Sequence, residues 1–277
     1  MMETQLISIL LGSLTGIVLA LTGAGGAIIA VPLLIFALYL TVAEAAPIAL
    51  LAVCLSAAMG AFLALMQNKV RYRAAGFIAI TGAVAAPVGI WLAQKLPNAP
   101  LALLFAAVLM YVAYDMFRQS RYDAASGKTF EAAPFAKPCL LDTPDGRLIW
   151  TWPCVRALAL SGFSAGSLSG LLGVGGGFVV VPALKKVTNL QMQAIFATSL
   201  AVIALISATS VVSATIIGAM NWSVATPFAG GAIAGMLLAR AFANRFSGPK
   251  LQQSFAVMAI LVSIGMVVKV LLAAGIF

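Results

Sequence analysis

The sequence predicts an all-α polytopic membrane protein with two inverted-topology repeats, each a broken short-helix hairpin followed by three transmembrane helices. Three observations carry that expectation. The 277 residues are 63% hydrophobic and 8% charged, with a mean hydropathy of +1.10, well outside the range of soluble domains. Apolar tracts recur at 44–66, 74–94, 99–117, 191–217, 223–244 and 251–275, each near or above the ~20 residues that cross a bilayer as a helix. The third is a repeat. Gly23-Ala24-Gly25-Gly26-Ala27 runs on to Val31-Pro32-Leu33-Leu34, and 150 residues later Gly173-Val174-Gly175-Gly176-Gly177 runs on to Val181-Pro182-Ala183-Leu184.

Each opening segment, 5–39 and 156–184, is too short for two full spans at ~1.5 Å of rise per residue. Short or re-entrant helices meeting near mid-membrane suit that length, with the glycine cluster as the interruption. Glycine is a poor interior helix residue, and adjacent glycines permit a break or a close backbone approach. The first segment has no basic n-region and no small-residue cleavage site, so it is not read as a removable signal peptide. Gly12 and Gly16, matched by Gly162 and Gly166, have the four-residue spacing of close helix packing and are assigned to that role. Pro32 and Pro182 are expected to mark the helix break and to fix the second helix of each hairpin.

Three spans follow each hairpin. The repeat continues through them: Val70-Arg71-Tyr72 matches Met220-Asn221-Trp222, Gln94-Lys95-Leu96 matches Asn244-Arg245-Phe246, and Leu101 and Phe105 match Leu251 and Phe255. The chain therefore divides into a first membrane repeat, 1–117, a linker, 118–155, and a second membrane repeat, 156–277. Asp123, Glu131, Asp142 and Asp145 fall in the linker, and Thr143-Pro144-Asp145-Gly146 is a turn signal between two apolar runs. Either a small β-hairpin at the membrane interface or an irregular tether fits that pattern.

Charge decides the orientation. If each hairpin enters and leaves on one side, the second half is inverted, and fourteen of the sixteen Lys and Arg face the cytoplasm, with only Lys95 and Lys269 outside. If each opening segment crosses once, the split is ten against six. The larger bias favours inversion, with the linker on the cytoplasmic side and both termini on the opposite, external side.

The net charge of +9 does not point to nucleic acid, because the basic residues lie in short loops and the linker without an aromatic-interleaved stripe. Membrane lipid is the expected neighbour. There is no His, and the three cysteines form no CxxC pair, so neither a metal nor any other cofactor is expected. Cys54 reads as a small apolar packing residue, and Cys139 and Cys154 are expected to be reduced thiols of the cytoplasmic linker. An intramembrane enzyme lacks a base and a midplane acid pair. No P-loop is present for ATP. Glu44, at the start of a span, is expected to be an interfacial cap rather than a proton carrier, and Arg240 a snorkelling anchor.

What remains is a solute site at the two breaks. A break at membrane depth is tolerated only where the freed backbone groups face protein, water or a solute, and paired breaks in two halves mark a transporter's binding site. A helix starting just after a glycine break presents unpaired N–H groups, worth about half a positive charge, and such ends bind small anions without a cationic side chain. The candidate ligands are Gly23, Gly25 and Gly26 in the first half and Gly173, Gly175, Gly176 and Gly177 in the second.

The two GxGGG-like segments, each followed by an apolar run and a Pro, together with Ala197-Thr198-Ser199-Leu200 opening a span, resemble the TauE/SafE-type sulfite exporter family over essentially the whole chain. The resemblance implies a transporter, rather than an enzyme, that moves sulfite or an organosulfonate across the bacterial inner membrane. It adds Thr198 and Ser199 to the candidate ligands as hydroxyl donors. The first half departs from the pattern, with Ala27 at the third glycine and Ala49-Leu50-Leu51 where Thr-Ser-Leu would stand. A secondary transporter working by alternating access is expected. A passive channel, or a carrier of thiosulfate or a small carboxylate, would use the same parts. A coupling ion, H+ or Na+, stays open.

Overall fold

The offset of 150 residues reappears in the helix boundaries. The structure, a computed structural model, describes residues 2–22, 26–67, 70–126, 139, 151–188, 190, 192–246 and 249–273. In the first half these form α1 (Met2–Thr22), α2 (Gly26–Ala37), α3 (Val42–Met66), α4 (Tyr72–Lys95) and α5 (Asn98–Ser126). The second half repeats them as α6 (Trp152–Leu172), α7 (Gly177–Val187), α8 (Met192–Ile216), α9 (Trp222–Phe246) and α10 (Pro249–Ala273). Among the described residues there is no strand, only an isolated bridge between Cys139 and Thr188.

All six apolar tracts are helices. Among the described residues, six helices (α3, α4, α5, α6, α8 and α9) carry stretches long and apolar enough to cross a membrane, and the chain is a polytopic α-helical membrane protein. The exposed surface agrees. Ile80, Val84, Val88 and Trp91 form an exposed apolar stripe along α4 at helical spacing, while Ile78, Gly82, Ala86 and Gly89 on its other side are buried. Trp91 with Lys95, and Trp152 with Arg156, pair an aromatic with a cation at helix ends, as interfacial anchors do.

The opening hairpins depart from two short helices in one respect. α1 and α6 are each 21 residues long, about 32 Å of helix, and only α2 and α7, at 12 and 11 residues, are short. Internal glycines do not break the long members because each is pressed against a neighbouring backbone. Gly162, Gly166 and Gly170 meet Ile78, Gly82 and Ala86 of α4, and Gly12 and Gly16 meet Phe228 and Ala232 of α9. In both pairs the residue numbers rise together, so α6 runs parallel to α4 and α1 parallel to α9. Small residues allow that approach, and backbone contact replaces side-chain packing.

Packing is exchanged between the halves. α1 lies on α9 as α6 lies on α4; α3 packs on α9 as α8 packs on α4; α3 meets α8, and α5 meets α10. The α3–α8 contact joins equivalent residues: the Cys54 thiol donates to the Ala204 carbonyl at 3.5 Å. These are the middle residues of two helices of 25 residues each. At the far ends, the Lys269 ammonium donates to the Ile35 carbonyl at 3.0 Å, holding α10 on the end of α2.

Helix bounds move the edges of the linker. α5 continues past position 118 to Ser126, and α6 starts at Trp152, before 156. The expected hairpin residues 140–150 lie outside the described residues. The expectation of reduced thiols is corrected: Cys139 and Cys154 are joined by a disulfide, with Cα atoms 5.1 Å apart. The Cys139 N–H donates to the Val187 carbonyl at 3.1 Å, which sets Cys139 at the end of α7, beside the first turn of α6. Both cysteines are buried.

Candidate functional site

The second glycine cluster is a tight turn with three left-handed residues. Gly173, Gly175 and Gly176 have φ of 74°, 69° and 72°, a region that costs any L side chain strain. Gly173 caps α6 by donating its N–H to the Ser169 carbonyl at 2.8 Å. Gly176 caps α7, its carbonyl accepting from the N–H groups of Val179 and Val180 at 3.1 and 3.2 Å. Among the described residues no carbonyl accepts from the N–H groups of Gly175, Gly176, Gly177 or Phe178. Gly173 to Gly177 are all buried. The helix start expected from the sequence is therefore present in this half, with its donors away from bulk water.

The turn lies against the centre of the molecule. A Cβ built on Gly175 would stand 3.0 Å from Val53 Cγ1 of α3, 3.1 Å from Ser207 Oγ of α8 and 3.2 Å from Ile203 Cγ2. Val53 and Ile203 are equivalent in the repeat and adjoin the midpoint residues Cys54 and Ala204. On the other side, a Cβ on Gly176 would press into the carbonyl and Cβ of Ala165 on α6. An apolar cleft lined by Ile28, Phe105, Val108, Leu109, Val112 and Val174 runs between the start of α2, the turn and α5.

Sequence reasoning missed the hydroxyls around this turn. Ser207 and Ser169 are fully buried, and neither Oγ has a hydrogen-bond partner. Ser169 is one helical turn beyond Ala165, on the face of α6 that meets Gly176. Ser56, three residues after Val53 on α3, is a third buried hydroxyl without a partner among the described residues. Nothing in the residue pattern singles these out, because α6 and α8 carry many Ser and Thr residues.

The other predicted site residues fall elsewhere. Thr198 is buried and its Oγ1 accepts from the Arg71 N–H at 3.2 Å, tying the start of α4 to α8. Ser199 turns back to the Phe196 carbonyl at 2.9 Å. Both lie a long way along α8 from the turn: Thr198 to Ser207 is about 14 Å of helix. Gly23 and Gly25 lie outside the described residues. Gly26 is buried and opens α2 in close contact with Leu19 of α1. The helices continue through Pro32 and Pro182, so the interruption in the second half comes from its glycines and the prolines sit inside α2 and α7. Glu44 is the cap the sequence suggested: its carboxylate accepts from the Thr41 N–H at 2.9 Å, and its own N–H donates to Thr41 Oγ1 at 3.3 Å.

Comparison with known proteins fits this architecture. A family model described as "Sulfite exporter TauE/SafE" matches residues 8–266. The chain belongs to the TauE/SafE family. It is 27% identical over 266 residues to a "Probable membrane transporter protein" of Xylella fastidiosa strain 9a5c, covering 95% of this chain and 94% of that one. A protein of the same description from strain Temecula1 / ATCC 700964 is 26% identical over 265 residues, with the same coverage. No solved structure matches the chain. TauE/SafE membership makes this a membrane transporter and not an enzyme.

Proposed function

We propose that this TauE/SafE protein is a secondary transporter of small anions, most simply sulfite or an organosulfonate, exported by alternating access around the glycine turn. One observation carries the reading. Among the described residues, four backbone N–H groups without carbonyl partners stand at a left-handed turn that packs against the midpoints of α3 and α8. In a low-dielectric interior such donors are costly unless something accepts from them, and they favour a negative solute. The side chains nearest the turn glycines from α3, α6 and α8, those of Ala46, Val53, Ala165, Ile203 and Ser207, carry no charge. On this reading the amides favour a negative solute, and size and shape are left to the packing of Val53, Ile203 and Ala165.

The sidedness we propose is a cytoplasmic linker with periplasmic termini in the bacterial inner membrane. Charge supports it: with each opening hairpin entering and leaving on one side, fourteen of the sixteen Lys and Arg fall on the side of the linker. The Cys139–Cys154 bond pulls the other way, since disulfides persist on oxidising faces. A single bond, buried from solution, weighs less than the placement of fourteen cations.

The decisive experiment is sulfite flux into liposomes with Gly175→Val and Gly176→Val. Both variants are expected to insert in the membrane and to lose transport. Undiminished sulfite flux in either would remove the site assignment. Counterflow of labelled sulfite separates a carrier from a passive channel: a carrier accelerates exchange, a channel does not.

A further inference from the structure

We propose that Ser207, together with Ser169 at the α6 end of the turn, supplies the side-chain ligands of the anion at the Gly175–Phe178 turn, an inference that rests on the transporter reading above. Hydroxyls in membrane helices ordinarily satisfy themselves by bonding back to the preceding turn. That is what most hydroxyls of these two helices do. On α8, Ser199, Thr209, Ser210, Ser213 and Thr215 each donate to a carbonyl three or four residues earlier. On α6, Ser161, Ser164 and Ser167 do the same. Thr198 instead accepts from the Arg71 N–H, and among the described residues of α6 and α8 it is Ser207 and Ser169 that are fully buried with Oγ left unpaired.

Position explains the exception. Ser207 Oγ lies 3.1 Å from the point a Gly175 Cβ would occupy, so glycine is what lets this hydroxyl stand directly against the turn. Ser169 stands on the Gly176 side, on the same face of α6 as Ala165. Three elements thus converge: amides from the α7 start, one hydroxyl from α8, one from α6. Each buried hydroxyl without a partner carries a desolvation cost that a bound acceptor would remove.

The donor set selects a ligand class. Two hydroxyls and several amides, arranged around the turn, suit a compact oxyanion with three or more oxygens on one central atom, of which sulfite is the probe. A carboxylate has two oxygens and satisfies fewer of these donors. A hydroxyl also accepts, so an oxyanion carrying a proton is accommodated at Ser207 where an amide would reject it.

The test is calorimetric binding of sodium sulfite and sodium acetate to the purified full-length chain in detergent, for wild type, Ser207→Ala, Ser207→Ala/Ser169→Ala and Gly175→Val. The expected result is about a tenfold loss of sulfite affinity for Ser207→Ala and a larger loss for the double variant, with a smaller change for acetate. The apo Ser→Ala proteins should unfold at or above the wild-type temperature, because alanine leaves no unpaired hydroxyl. Unchanged sulfite affinity in both serine variants, with binding abolished in Gly175→Val, overturns the hydroxyl assignment and leaves the transporter reading intact. Sulfite affinity unmoved by any variant, or no sulfite binding by wild type, overturns both. A Ser207→Ala protein that unfolds at lower temperature while keeping its affinity assigns the hydroxyl to the fold and also overturns the proposal.

Discussion

Two sets of glycines on the same polypeptide segment do opposite things. Gly162, Gly166 and Gly170 sit inside α6 and are met by backbone atoms of α4 at Ile78, Gly82 and Ala86. Only a few residues on, Gly173, Gly175 and Gly176 leave the helix with positive φ and hold the ends of α6 and α7 apart. The first set is there for what it lacks, a side chain between two helices. The second is there for a backbone conformation that other residues adopt at a cost. Spacing separates them: every fourth residue keeps one face of a helix smooth, whereas adjacent glycines release the chain from it.

The largest expected effect comes from breaking the second set. Gly175→Val should abolish sulfite flux in liposomes while membrane insertion and protease resistance persist, since the left-handed penalty of about 1–2 kcal/mol is paid locally. Breaking the first set should reverse the pattern. Gly166→Val pushes a side chain into Gly82 of α4 and should cost about 1–3 kcal/mol of stability, read as a lower unfolding temperature and a lower yield of folded protein. Per folded molecule, its sulfite affinity should stay near wild type. If both variants lost affinity equally with the fold intact, the division between packing and turn glycines would fail.

The division was partly visible in the residues alone. The six apolar tracts, the repeat and the packing role of Gly12, Gly16, Gly162 and Gly166 could be read because periodicity and small-residue spacing are local properties. The interruption at Gly173–Gly176 was legible for the same reason. The length of α6 was not, because its internal glycines look like breakers until α4 is seen against them. Ser207 and Ser169 were hidden by chemistry: a hydroxyl that bonds back to its own helix and one that does not are the same letter. Thr198 and Ser199 were picked out as a polar pair at the opening of a span, but their hydrogen-bond partners could not be read from the residues. Here one ties down Arg71 and the other its own turn.

Two smaller effects sharpen the contrast. Thr198→Val removes the acceptor for the Arg71 N–H and should cost about 1 kcal/mol of stability, detectable as a shifted thermal midpoint, with sulfite affinity unchanged. A tenfold affinity loss instead would move Thr198 back into the site. Glu44→Gln should weaken the α3 cap by about 1 kcal/mol or less, because glutamine keeps an acceptor for the Thr41 N–H. The pH profile of transport should be the same in this variant as in wild type. An altered profile would make Glu44 part of proton handling and not only a cap.

The meeting of Cys54 with Ala204 has a mechanical corollary. Each of the two helices extends about 18 Å on either side of that point. Turning one against the other by about 10° would carry its tips through roughly 3 Å, while atoms at the crossing hardly shift. Under the alternating access proposed above, a ligand held there would ride at the hub of a lever, gripped by nearly constant geometry while the two mouths exchange which one is open. Fine recognition and large movement then occupy different radii of the same pair of helices, and neither has to be traded for the other.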